Sequence, residues 1–209
     1  MCIRDRIDTP GHVDFNYEVS RSLAACEGAI LLVDGTQGIQ AQTLANVYLA
    51  LEEDAVIIPV INKIDSPNAQ VDRVISEIDS ALGFKEEEIL KVSAKTGEGV
   101  DDLVKKIIEL VPSPSGKMES PLQALVFDSK YDQFKGVIAY VRIINGKVKK
   151  GDSLTMMSTN KNLEVQETGI FTPNLEEMKS LNVGEVGYIA TGLKDVSDCR
   201  VGETLTSKD

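Results

Sequence analysis

The apolar positions change their period once along the chain. From residue 7 to residue 111, short β-branched runs alternate with stretches whose apolar residues recur every three or four positions. Ala29-Ile30-Leu31-Leu32-Val33-Asp34 and Val56-Ile57-Ile58-Pro59-Val60-Ile61 are continuous apolar runs of strand length, as strands covered on both faces require. Residues 89–93 read as a weaker third strand. Residues 17–27, 41–53, 70–82 and 100–110 carry helical spacing, with Leu44, Val47, Tyr48 and Leu51 forming one stripe. This alternation predicts an α/β unit of parallel strands with crossover helices, and ligands bound beyond the strands' carboxyl ends.

Pro112-Ser113-Pro114-Ser115-Gly116 breaks the pattern, because prolines remove backbone donors and fix an extended path. Residues 113–120 are therefore expected to be a linker. Beyond them the period becomes two, in Leu122-Gln123-Ala124-Leu125-Val126-Phe127, again over 136–144, and in short runs near Leu154, Ile170 and Tyr188. Gly-containing turns between short strands, Asn145-Gly146 among them, predict a small antiparallel β-barrel over 121–209.

Composition narrows the function classes. The chain has 22 basic and 33 acidic residues, a net charge of −11, and almost all of the excess lies in residues 1–112, which hold 20 acidic side chains against 10 basic. A field of that sign argues against the first half wrapping nucleic acid, and no DNA partner is expected. The densest basic cluster, Lys147, Lys149 and Lys150, has a solvated hairpin tip as its plain reading and a local RNA contact as the alternative. No apolar run is long enough to span a bilayer. Cys2, Cys26 and Cys199 are odd in number and far apart, which disfavours a disulfide framework and points to a reducing compartment. Cys26 is expected to be a buried small residue.

Three short motifs carry chemistry. Asp8-Thr9-Pro10-Gly11-His12 combines a carboxylate, a flexible backbone N–H and the chain's single imidazole at a strand-to-helix junction, parts suited to a phosphate and its metal. Taken alone, it could equally be an ordinary Pro-Gly turn. Asn62-Lys63-Ile64-Asp65 directly follows an apolar strand, and the carboxylate of Asp65 can accept two hydrogen bonds from a purine that offers a ring N–H beside an amino group. Adenine lacks that donor pair. Ser93-Ala94-Lys95 ends the next strand, where a backbone N–H can meet the purine's carbonyl oxygen and the lysine can lie against the ring; its plain alternative is a helix-start serine.

Three such elements, in this order and each at a strand's end, resemble the third, fourth and fifth guanine-nucleotide motifs of the translation-factor GTPases. The similarity continues through Gly136-Val137-Ile138-Ala139-Tyr140-Val141-Arg142-Ile143 to Gly151-Asp152, which resembles the second-domain barrel of those factors. The phrases at 13–28, 62–68, 121–125, Gly169-Ile170-Phe171-Thr172-Pro173 and Gly184-Glu185-Val186-Gly187-Tyr188 narrow it to one type of elongation factor. The resemblance covers residues 7–206.

It implies a ribosome-associated GTPase that hydrolyses GTP to GDP and phosphate in translation elongation, with Mg²⁺ as cofactor and ribosomal RNA and proteins as partners. Asp8, Thr9, Pro10, Gly11, His12, Asn62, Lys63, Ile64, Asp65, Ser93, Ala94 and Lys95 would form the GTP site. Asp8 would hold Mg²⁺ through water, Gly11 would sense the γ-phosphate, and His12 would be the catalytic residue, positioning the attacking water. A cytoplasmic location follows, with peripheral membrane contact left open. Residues 1–112 would be a partial GTP-binding domain in a P-loop GTPase-like parallel sheet, because the phosphate loop G-x-x-x-x-G-K-[ST] does not occur in these 209 residues.

Cys2-Ile3-Arg4-Asp5-Arg6-Ile7 also places three charges where an apolar strand is expected, so residues 1–6 read as a foreign start on a truncated gene. The chain as it stands is expected not to hydrolyse GTP, and an unpaired apolar edge along 29–33 is expected to promote aggregation or partial unfolding. A barrel module binding RNA or protein without catalysis, another translational GTPase, and a nucleotide-dependent metabolic enzyme are the alternatives.

Overall fold

The computed structural model describes residues 6–9, 15–172 and 174–207, which divide between two compact units, one Asp8–Pro112 and the other Ser113–Asp209 together with residues 6 and 7. Pro10, Gly11 and His12 lie outside the described residues, as do residues 1–5 and 13–14.

In the first unit, β1 (Gly28–Asp34), β2 (Val56–Asn62) and the short β3 (Leu90–Lys91) form a parallel sheet in that order. The pairing of β1 with β2 runs in register from Gly28 opposite Val56 to Asp34 opposite Asn62. On one face, Leu31, Val33 and Ile61 pack with Val47 of α2 (Ala41–Glu52) and with Val74, Ile75 and Ile78 of α3 (Val71–Leu82). Helix α1 (Asn16–Leu23) contributes Val19 and Leu23 to a neighbouring cluster with Ala50 and Ala55. On the other face, Ile58, Val60 and Val92 are covered by Leu103 and Ile107 of α4 (Val100–Leu110). Continuous apolar strands therefore arise from cover on both sides. Strand β1 is the exception: Ile30 and Leu32, opposite Ile58 and Val60 in the register, remain 41% and 56% exposed.

Several sequence expectations need adjustment. The first helix ends at Leu23 rather than 27, and Cys26 follows it, half-buried; of the two described cysteines the buried one is Cys199, whose pKa burial pushes up to about 11. The third strand is only two residues long. Residues 6–9, where the resemblance called for a strand, form none.

In the second unit, eight antiparallel strands follow the order β10-β9-β12-β5-β4-β13-β7-β8. The long pair β4 (Gln123–Asp132) and β5 (Gly136–Asn145) supplies its spine, and one buried cluster lines the interior, including Val137, Ala139, Val141 and Ile143 at alternate positions of β5. β7 (Ser153–Met156), β8 (Asn162–Glu164), β9 (Glu167–Phe171), β10 (Leu175–Met178), β12 (Val186–Ala190) and β13 (Thr204–Ser207) complete this barrel-like sheet.

The Asn145-Gly146 turn does not make a hairpin of the basic cluster. β6 (Lys147–Lys149) pairs instead with β11 (Ser180–Asn182), placing Lys149 opposite Ser180 and burying Val148 in the core while Lys147 and Lys149 stay exposed.

Candidate functional site

Two loops meet at the carboxyl ends of β2 and β3. Strand β2 closes on Asn62, and the backbone turns sharply at Lys63, whose φ of 65° lies in the left-handed region that a residue with a Cβ enters only when its surroundings hold it there. The Asn62 Oδ1 accepts the Lys63 N–H at 2.7 Å and the Ala94 N–H at 3.0 Å, so one amide ties the two loops together. Asp65 Oδ1 accepts from the Ser93 hydroxyl at 2.7 Å, and Ser93 Oγ itself accepts the Thr96 N–H. Ser93 is fully buried, so its hydroxyl fixes the carboxylate from below. Lys95 is largely exposed, its ammonium 4.0 Å from Asp65. Asn62, Lys63, Asp65, Ser66, Pro67, Ala94 and Lys95 line an open pocket of about 390 Å³.

The structure thus brings together the sequence-predicted residues 62–65 and 93–95. Ser93 is not a helix-start serine, since α4 begins seven residues later at Val100; its partner is Asp65. Of the backbone N–H groups in this loop, that of Ala94 donates to Asn62, so a base carbonyl reaching it would share it with that amide. The Ile64 N–H points to the Val92 carbonyl oxygen at 3.4 Å, and Ile64 is not among the residues lining the pocket. Asp8 and Thr9 are exposed and irregular. Among the described residues no group of three or more His, Cys, Asp or Glu forms a metal cluster.

Sequence reasoning missed Asp34. At the end of β1 and opposite Asn62, it meets the Lys63 ammonium at 2.6 Å and accepts the N–H and hydroxyl of Thr36 at 2.8 and 2.7 Å. Lys63 first, and Thr36 after it, hold its carboxyl down at a pKa of about 2. The available signal was an Asp-Gly pair closing an apolar strand, the position that Asn62 occupies on its neighbour. Ser66 and Pro67 also join the pocket wall without having been singled out.

Residues 5–113 match the family model of the elongation factor Tu GTP binding domain, and residues 136–206 match that of elongation factor Tu domain 2. The chain belongs to the translation-factor GTPase family. Within it, the similarity runs to proteins named Elongation factor 4, also called LepA. It is 62% identical over 177 residues to that of Clostridium novyi, covering 85% of this chain and 30% of the relative. Against that of Halalkalibacterium halodurans it is 58% identical over 171 residues, 82% of this chain and 28% of the relative. The figure for Streptococcus equi subsp. equi is 60% over 167 residues, 80% of this chain and 27% of the relative. The chain thus spans less than a third of the length of these relatives.

Proposed function

We propose that the chain is the guanine-reading part, with the second-domain barrel, of a GTPase that works on the ribosome during elongation and hydrolyses GTP to GDP and phosphate. The supporting observation is the Asn62 bridge, which sets the Asp65 carboxylate and the 93–95 loop around one pocket at the carboxyl ends of adjacent parallel strands. Asp65 binds the base through its ring N–H and amino group, which explains a choice of guanine over adenine. Ser93 holds that carboxylate in place, and the stems of Lys63 and Lys95 flank the ring.

The phosphate end is proposed on the motif at 8–12. Asp8 would hold Mg²⁺ through water, its carboxylate being the hard oxygen acceptor that suits this ion. When bound, Mg²⁺ neutralises charge on the transferring phosphoryl group. Gly11 reads the γ-phosphate and His12 positions the attacking water. The partners are ribosomal RNA and proteins, in the cytoplasm; among the described residues no helix is long and apolar enough to cross a membrane. The 209-residue polypeptide, which contains no G-x-x-x-x-G-K-[ST] run, is not expected to turn over GTP by itself.

Steady-state phosphate release by the full-length gene product tests this reading. Slow GTP turnover that rises at least about tenfold, one decade or roughly 1.4 kcal/mol of barrier, when ribosomes are added is expected, with ATP left intact. Turnover indifferent to ribosomes, or equal for ATP, contradicts it.

A further inference from the structure

Lys63 is fixed at both ends. Its backbone is held in the left-handed region at φ 65°, and its ammonium, four methylenes away, rests 2.6 Å from Asp34 on the neighbouring strand. Lys63 is among the residues that line the pocket. Lys95, which also lines it, has no comparable anchor: its side chain is 86% exposed against 56% for Lys63 and approaches Asp65 only at 4.0 Å.

Asp34 is itself preset. One carboxylate oxygen takes both donors of Thr36, leaving the other for Lys63. Its position is locked by the ladder, since the Gly35 N–H donates to the Asn62 carbonyl oxygen at 2.8 Å, and a Cβ at Gly35 would stand 2.9 Å from that oxygen. A residue with a side chain would force the two strand ends apart at the point where Asp34 must reach across.

We propose that Asp34 is a positioning residue for nucleotide binding: without touching the nucleotide, it holds the Lys63 stem extended along the pocket so that a purine ring meets a wall already ordered. The proposal rests on the guanine-nucleotide reading of the pocket. A lysine side chain carries considerable rotamer freedom, and a protein that orders it before the ligand arrives spares that cost at binding. The Asp34→Asn variant separates this role from a structural one. Its amide oxygen can still accept from Thr36 and keep the turn, while its amide nitrogen faces the Lys63 ammonium donor to donor and releases it.

Affinity for GDP, measured by titration calorimetry on the full-length gene product, is the readout, with the wild type, Asp34→Asn, Lys63→Met and the double variant compared. Asp34→Asn is expected to weaken GDP about tenfold, consistent with the freedom returned to one long side chain. In the Lys63→Met background, which keeps the stem and lacks the ammonium, adding Asp34→Asn is expected to cost nothing further. Wild-type affinity in Asp34→Asn, or losses that multiply in the double variant, would overturn the proposal while leaving the nucleotide reading intact. A wild type that binds no GDP would overturn both. Lys63→Met keeps the cycle decisive should Asp34→Asn fail to fold, because removal of the ammonium alone must then loosen GDP; unchanged affinity in it refutes the role of the ion pair.

Discussion

Asp65→Asn in the full-length gene product is expected to exchange guanine for xanthine nucleotides. In the proposed site the carboxylate accepts two hydrogen bonds from guanine's ring N–H and amino group; an amide at the same place would turn one acceptor into a donor and meet guanine's donors with a donor of its own. Xanthine carries an oxygen where guanine has the amino group, so the same amide suits it. Hydrogen bonds to a charged partner contribute about 1.5–3 kcal/mol each, and spoiling such a pair corresponds to a loss of GTP affinity on the order of a hundredfold or more. Competition of GTP and xanthosine triphosphate for a fluorescent nucleotide reads both sides of the exchange. The Ser93 hydroxyl, which donates to Asp65 Oδ1, can donate equally to the oxygen of the substituted amide, so the loop should survive. Unchanged GTP affinity would remove Asp65 from the site.

The second large effect lies in the barrel, where two of the phrases that carried the family resemblance turn out to touch. Gly169 of β9 lies directly opposite Tyr188 of β12. The tyrosine is fully buried, its hydroxyl donates to Glu167 at 2.5 Å, and Glu167 also takes the Lys135 ammonium. Phe171 packs on the same ring, with centroids 5.7 Å apart. The tyrosine ring fills the space a side chain at 169 would need: a Cβ there would stand 2.2 Å from the Glu176 carbonyl oxygen and 2.5 Å from the ring.

Gly169→Val must therefore displace either a paired strand or a buried aromatic side chain. It is expected to destabilise the barrel by about 3 kcal/mol or more, and to lower its melting midpoint by roughly 10 °C or more. Near-ultraviolet circular dichroism, to which the chain's five tyrosines contribute and no tryptophan does, follows the loss. A midpoint unchanged from wild type would show that the β9–β12 pair is not packed as described.

What the sequence disclosed and what it withheld have physical causes. Strand β2 was legible because residues covered on both faces leave a continuous apolar run, β1 because it carries the same kind of run although Ile30 and Leu32 stay exposed, and α3 because Val74, Ile75 and Ile78 mark one buried stripe. The pairing of β6 with β11 was not, since those strands are distant in the chain and nothing local to Asn145-Gly146 says that the chain continues past the turn. The motifs at 62–65 and 93–95 could be placed at strand ends because each follows a run of strand character. The support beneath them could not: the Ser93 hydroxyl reaches Asp65, and Asp34 stands opposite Asn62, only once the fold brings the strand ends together.

A crystal structure of the full-length gene product with GDP tests the central claim most directly. The account predicts the guanine ring between the stems of Lys63 and Lys95, with its ring N–H and amino group both within hydrogen-bond distance of the Asp65 carboxylate and the Asn62 bridge to Ala94 still recognisable. A base bound elsewhere, or one whose donors do not reach Asp65, would contradict it.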